Sequence, residues 1–575
     1  MARHILSIAL LCCAGVAHAY PTNVARWLPL DADGWSIIPT GSDSRLIHVS
    51  SSLGSDATGD GSVTNPYATV AKGVSFMRLG RPDWLLLRKG DVWYERIGTK
   101  TYGRSPTEPM VIAGYGPPGP RPLLKVGSQT GFPVQGGGGA PPQRSWVAVV
   151  GIHFYAHTAD PDGPEYDGSE GGSAISWLMP ATNVLVEDCL FDSFGTALVI
   201  QNTGLKDVVI RRNVTVDDYS SDSHSQGYFT YGVNGLLIEE NIIDHCGWNE
   251  TVSGAEPTIF NHNLYIQSNC RNVTIRDNIL SRASSHGCQL RPGGLFIGNL
   301  LLRCGMGGFA GGFDQGCDYS YVISNVYLEP HDISTSLPRG HGFEVKPAGI
   351  LNTVEYNLFA NKPVTTIGGG NGLYTIGGSN AYNYLVRYNT VYNWRKGTLL
   401  AINGPHGAVT VCNNLLQETQ TAARVMYIDG GADNVDMHTQ IYYGAAPADD
   451  WFRLDGANMN FATWVAQTGD SNSMMKQVTL RDPDRTVGDY CAHLGGSNSF
   501  EAFMARCRAQ SRDNWDANYT AQRANEWLRE GFRPLESLGT EQIGAVWPPV
   551  PEPFGGLAAV CALLVAARRR VVSDR

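Results

Sequence analysis

Charge is scarce in this chain. Only 17% of its 575 residues are Asp, Glu, Lys or Arg, and the formal net charge is −10. That balance gives no general attraction to nucleic acid or anionic lipid, so an anionic ligand would need a local basic patch. Metal, redox and nucleotide signatures are missing as well. There is no C-x-x-C, no H-E-x-x-H, no glycine-rich phosphate loop and no nucleophile elbow. Neither terminal apolar run reaches the ~20 residues that a membrane span needs. Of 12 cysteines, Cys12, Cys13 and Cys561 lie in those terminal runs, and the nine left over cannot all pair. Cys189, Cys288 and Cys412 fall in apolar runs and are expected to be buried. Cys491 and Cys507 are the two that an oxidising compartment would allow to bond.

What the chain does have is repetition. NVLVEDCLF begins at Asn183, DVVIRRNVTV at Asp207, GLLIEENIID at Gly235, NVTIRDNIL at Asn272 and GLFIGNLLL at Gly294. YVISNVYL, TVEYNLFA, LVRYNTVY and AVTVCNNLL carry the pattern on to Leu416. Starts recur roughly every 22 to 37 residues, a period that means stacked units. Each unit is a short alternating apolar run, often an Asn, and a second short run. Alternation predicts strands, and Asn in the break suits a left-handed turn. A third strand follows in TALVIQ, HNLYIQ, HGCQLR, HGFEVK and GTLLAI. No single unit can bury its own apolar face, so the units must stack to make a continuous core.

This pattern resembles the right-handed parallel β-helix superfamily, which includes pectate-lyase-like polysaccharide lyases and some glycoside hydrolases. The resemblance implies an all-β fold of three-strand coils and action on an extracellular polysaccharide. The expected division is a signal peptide at 1–19, a leading and capping segment at 20–143 and the β-helix at 144–445. A partly helical appendix at 446–546 and a sorting signal at 547–575 follow. Met1–Ala19 has a basic start, an apolar run and Ala17-His18-Ala19, the plan of a signal peptide. Tyr67–Met77 has the spacing of a short helix that would cover one end of the core. Asn498–Gln510, with Asn498 as cap and Glu501 reaching back to it, and Thr520–Phe532 are predicted helices packed on the other end. Val550-Pro551-Glu552-Pro553, an apolar run to Ala567 and Arg568-Arg569-Arg570 resemble the PEP-CTERM sorting signal of Gram-negative bacteria. That resemblance implies secretion to the cell envelope or matrix, transient membrane association through the tail, and processing by signal peptidase and an exosortase.

The third strands carry the suggestive chemistry. Aligned, they put His262, His286 and His341 in one register, and Tyr265, Gln289 and Glu344 on the outward side. Gln267, Arg291 and Lys346 follow on the same side. The coil GGFAGGF from Gly307 is expected to add no side chains there, and His224, Tyr228 and Tyr231 to border the face. A uronate lyase needs its substrate's carboxylate neutralised, a base for the α proton and an acid for the leaving oxygen. Arg291, Lys346, His286, His262 and Tyr265 supply those types. A glycoside hydrolase would need a carboxylate pair, for which Glu344 with Asp314 or Asp318 is the candidate set. Asp217, Asp218 and Asp222 form a second acidic group that could hold Ca2+ through oxygen ligands. A non-catalytic glycan-binding protein of the envelope is the third possibility.

Overall fold

The computed structural model describes residues 26–99, 101–136, 143–312, 317, 319–346, 348–349, 351–363, 365–376, 382–538 and 543–545. Both terminal signals lie outside the described residues. The described chain winds into a parallel β-helix in which each coil gives one strand to each of three sheets. The first sheet runs from Leu46–Val49 to Val435–His438 and the second from Val92–Trp93 to Met474–Met475. The third runs from Phe132–Val134 to Phe452–Leu454 and ends in one antiparallel strand, Ala457–Met459. The stack therefore begins within the segment read as a leading cap, and continues past residue 445.

Alternation explains the winding. Val186, Ile210, Ile238 and Ile275 pair in consecutive coils and are fully buried. In each sheet alternate residues face inward, and the inward row is apolar. Stacking makes the hidden row continuous. Two short helices close the column. Helix α1 (Val70–Ser75) is capped by Thr69, whose hydroxyl accepts the Lys72 N–H at 3.1 Å. It is shorter than the predicted Tyr67–Met77 helix, but Tyr67, Val70 and Met77 all join the core. Gly73 permits the close fit, since a Cβ there would lie 2.5 Å from a Val49 methyl. At the far end α2 (Phe461–Thr468) buries Trp464, starts at Asn460 and stops at left-handed Gly469.

The recurrent asparagines do something other than adopt the left-handed turn. The residue before each one does that: Arg212, Glu240, Asp277, Ser324, Tyr356 and Tyr388 have φ of 51 to 57°. The asparagines instead form a buried ladder. Asn213 Nδ2 donates to Asn241 Oδ1 at 3.0 Å, Asn241 to Asn278 at 3.0 Å, and Asn278 to Asn299 at 2.9 Å. The series continues through Asn325, Asn357, Asn389 and Asn414 to Gln440. From Asn241 onward each side-chain oxygen also accepts the backbone N–H of the preceding asparagine, and Asn213 Oδ1 accepts that of Cys189. The buried turn interior thus pairs the ladder's amides with one another and with the backbone.

The appendix lies along a flank, not on an end. Helices α3 (Val487–His493), α4 (Phe500–Arg508) and α5 (Ala521–Gly531) bury Val487, Phe503 and Leu528 against an outer row of the second sheet that includes Val214, Ile279, Leu300 and Leu358. The three-residue strands of that sheet place two apolar side chains outward, so this flank must be covered. The cap of α4 is Ser499, accepting the Ala502 N–H at 3.0 Å, while the Asn498 amide turns away to Asp489. Cys491 and Cys507 are buried free thiols rather than a disulfide. The first sheet is covered by the N-terminal residues, with Leu28 packed on an outer row that includes Val111, Ala148 and Val209. Arg212 joins the two covers, its guanidinium lying 4.5 Å from the Trp35 ring and 4.6 Å from the Trp515 ring.

Candidate functional site

The third sheet carries the open face. In its strands the first and fourth residues face outward, while the third and fifth, such as Leu264 and Ile266 or Cys288 and Leu290, are fully buried. Register stacks Gln226, His262, His286 and Met306 in one column and Phe229, Tyr265, Gln289, Phe309 and Glu344 in the next. Phe260 and Arg339 come from the two long connections that lead from the second sheet into the strands beginning at His262 and His341. Together they enclose a cleft of about 710 Å³.

At its floor His262 and His286 form a pair. Their rings meet edge to face with centroids 4.9 Å apart. Ser285 Oγ lies 2.9 Å from His262 Nδ1 and 3.1 Å from His286 Nδ1. It also lies 2.8 Å from the Asn261 carbonyl, which can only accept, so the hydroxyl proton goes there. The serine oxygen can then accept N–H from an imidazole Nδ1, and the two Nδ1 atoms themselves lie 3.3 Å apart; a ring that carries its proton on Nδ1 has its Nε2 lone pair free. Burial, then the neighbouring charges, keep both rings neutral. His262 is held well below the usual imidazole range by desolvation, His286 and Arg291. His286 is brought down to about 3 by desolvation and then by Lys346.

Cations stand above this floor. The Arg291 guanidinium lies 4.8 Å from the Tyr265 ring centroid, and its Nε donates to Gln289 Oε1 at 3.0 Å. Lys346 Nζ lies 4.3 Å from the Phe309 centroid and 3.6 Å from Glu344 Oε2. Burial holds the Tyr265 hydroxyl protonated beyond its usual range, against the opposing charge of Arg291, and the hydroxyl accepts from Gln267 Nε2 at 3.2 Å. Among the described lining residues, Arg291, Arg339 and Lys346 face a single carboxylate, Glu344.

The structure therefore brings Lys346, Arg291, His286, His262, Tyr265 and Glu344 into one cleft. His341 keeps the register two coils beyond His286 but lines a much smaller gap beside Trp394. Three expectations change. Tyr228 pairs with Leu264, so it points into the core, and its row-mate Phe229 is the cleft residue. The Gly307 coil is not bare, because Phe309 falls in the outward register between Gln289 and Glu344. Asp217, Asp218 and Asp222 do not converge as a Ca2+ site. Arg508 and His245 take Asp217, whereas the buried Asp218 accepts backbone N–H groups of Phe194 and Ala197. Desolvation raises the Asp218 carboxyl well above its normal range. Among the described residues no group of three or more His, Cys, Asp or Glu is placed to hold a metal. Asp314 and Asp318 lie outside the described residues. Ser285, Phe309 and Arg339 are the additions that sequence reasoning missed, and the Ser-Ser-His run before His286 was the visible trace of the first.

No protein-family model matches the chain, and no curated protein sequence matches it. Several solved structures align with it at low identity. A GH136 lacto-N-biosidase from Eubacterium ramulus is 11% identical, with 75% of this chain and 68% of that one covered and a TM-score of 0.30. A PL6 family alginate lyase is 13% identical over 72% of this chain and 53% of that one, with a TM-score of 0.32. A surface adhesin of Streptococcus pneumoniae is 14% identical over 62% and 86%, with a TM-score of 0.38.

Proposed function

We propose that this chain is a secreted, envelope- or matrix-directed enzyme that cleaves a uronate-containing polysaccharide by β-elimination. The charge of the cleft carries the reading. Three cations and one acid suit a polyanionic sugar chain on a protein of net charge −10. Hydrolysis calls for two carboxylates roughly 5 to 9.5 Å apart, and Glu344 is the single one among the described lining residues.

In the proposed reaction Arg291, Arg339 and Lys346 hold the substrate carboxylate, so that negative charge developing on it is stabilised. An imidazole Nε2 of the His262–His286 pair removes the proton α to that carboxylate. The C–H electron pair becomes the new C=C bond, the β C–O bond breaks, and the leaving oxygen takes the Tyr265 hydroxyl proton. Neutral histidines are suited to accept the proton, and a tyrosine held protonated is suited to give one. The test is the mature protein against polygalacturonate, alginate and neutral glucans, following ultraviolet absorbance of unsaturated ends together with reducing ends. Arg291→Ala and Lys346→Met should each lower the rate about 100-fold at unchanged melting temperature. Reducing ends without absorbance would replace elimination by hydrolysis. Binding without either product would make the chain a glycan-binding protein. Intact mass from the native host should begin near Tyr20 and end near Pro553; a retained Arg568–Arg570 cluster would remove the sorting proposal.

A further inference from the structure

The outward row of the third sheet does not stop at the cleft. After Glu344 it continues in register through Tyr374, Ala401, Tyr427 and Arg453. At about 4.8 Å per coil, Tyr427 stands ~14 Å beyond Glu344. Two arginines gather there. Arg424 opens the strand that carries Tyr427, and the Arg453 guanidinium lies 5.7 Å from the Tyr427 ring centroid. The Nε of each is buried and has no hydrogen-bond partner among the described residues. Desolvation and the charge of Arg453 together hold the Arg424 guanidinium below its usual range.

Several arginines on the covered flanks are arranged differently. Arg211 meets Glu187 and Glu239 at 2.7 Å each, Arg387 meets Glu355 at 2.5 Å, and Arg508 meets Asp217 and Asp244 at 2.7 and 2.6 Å. Arg424 and Arg453 come together with no carboxylate at ion-pair distance among the described residues. Acids do lie nearby, but each is engaged locally. Asp450 accepts the Asn458 amide at 3.0 Å, Asp455 accepts the Gly430 and Gly431 N–H groups at 2.9 and 3.0 Å, and burial and then the charge of Asp429 hold the Tyr427 hydroxyl protonated. Two partly desolvated guanidiniums with no carboxylate in ion-pair contact are costly, and an external anion relieves that cost.

We propose that Arg424 and Arg453, with the Tyr374 and Tyr427 rings as platforms, form a second saccharide-binding site that takes anionic units of the same polymer, several sugar rings from those in the cleft. The inference rests on the acidic-polysaccharide reading of this face. It makes the open sheet a track, in which the cleft acts on one unit while the remote site holds a distant one. Long chains engage both sites, whereas a uronate trimer in the cleft reaches only the first.

The experiment uses the full mature protein and the Arg424→Gln, Arg453→Gln, Tyr427→Ala and double Arg424→Gln/Arg453→Gln variants, each checked for the parental melting temperature. Migration through gels containing polygalacturonate or alginate reads binding, and KM and kcat on long polymer and on uronate trimers read turnover. The double variant should bind long polymer about tenfold more weakly, since each arginine would lose a charge-assisted hydrogen bond. Its KM for polymer should rise by the same factor with kcat kept, and its kinetics on trimers should match the parent's. A parent that is retarded and a double variant retarded equally would overturn the second site while leaving the function proposal standing. Loss of retardation in the variant, with no unsaturated product from the parent, would support the site and overturn the lyase. A parent retarded by neither polymer would overturn both.

Discussion

Acid should weaken the fold through the histidine pair before it stops the chemistry. His286 in the folded chain is brought down to about 3, mainly by burial, whereas an unfolded chain protonates near the ordinary value of about 6.5. The unfolded state therefore binds the extra proton throughout that interval. Stability is fully present above about pH 6.5 and is lost as pH falls toward 3. Between pH 7 and pH 5 the interval crossed is about 1.5 units, which at 1.36 kcal/mol per unit is about 2 kcal/mol from this one side chain. His341, brought down to about 4 by burial and by Lys362, adds in the same direction, and so does His262. Denaturant midpoints at pH 7, 6 and 5 measure the loss. His286→Gln supplies the control, because its amide cannot take up the proton and its own pH slope should be shallower by about 2 kcal/mol. The rate should behave oppositely. A base that stays neutral to about pH 3 in the folded chain gives no acid limb near pH 6.5. Parent and variant losing equal stability between pH 7 and 5, or an imidazole NMR titration of folded His286 centred near 6.5, would refute the argument.

Ser285→Ala should release the proton placement on the two imidazoles, lowering kcat about tenfold at unchanged KM and altering the pH profile; a purely structural serine would move only the melting temperature. Asn299→Ala should destabilise by about 3 kcal/mol in denaturant unfolding, because the Asn278 N–H and the Ile275 carbonyl lose their buried partner while cavity loss adds to the cost. The buried cysteines should be silent to a thiol reagent in the native protein, and after denaturation should give the same thiol count with and without prior reduction, since Cys491 and Cys507 are not bonded.

The coils were legible because their cause is periodic. An apolar residue at every second position either faces the stack or does not, and Val186, Ile210 and Ile238 announce that choice in the text itself. The same periodicity put His262 over His286 and Tyr265 beside Gln289. What failed was phase and distance. Tyr228 was assigned outward although its register partner is Leu264, and Phe309 was hidden by the glycines around it. Asparagine was credited with the left-handed turn, which its predecessor takes, because a single coil does not display the amide of the next one. The position of α4 was invisible for a similar reason. Arg508 finds Asp217 and Asp244 across almost 300 residues, and no local pattern encodes such a meeting.

The covers on the first and second sheets come from opposite ends of the chain, and this gives assembly an order. Coils can add to the stack one after another as the polypeptide emerges, each docking on its neighbour. Throughout that growth the outer row of Val214, Ile279, Leu300 and Leu358 stays wet, because α3, α4 and α5 are made last. A nascent chain stalled before Val487 would display a long apolar stripe beside parallel strands, the kind of surface that recruits chaperones or other nascent chains. The closing step leaves a mark. Trp515 can reach Arg212 only when the final segment has laid itself along the flank, opposite Trp35 from the beginning of the chain. The tryptophan–arginine–tryptophan clasp is therefore formed at the moment of completion, and the emission of those two indoles would report, chain by chain, which molecules have finished.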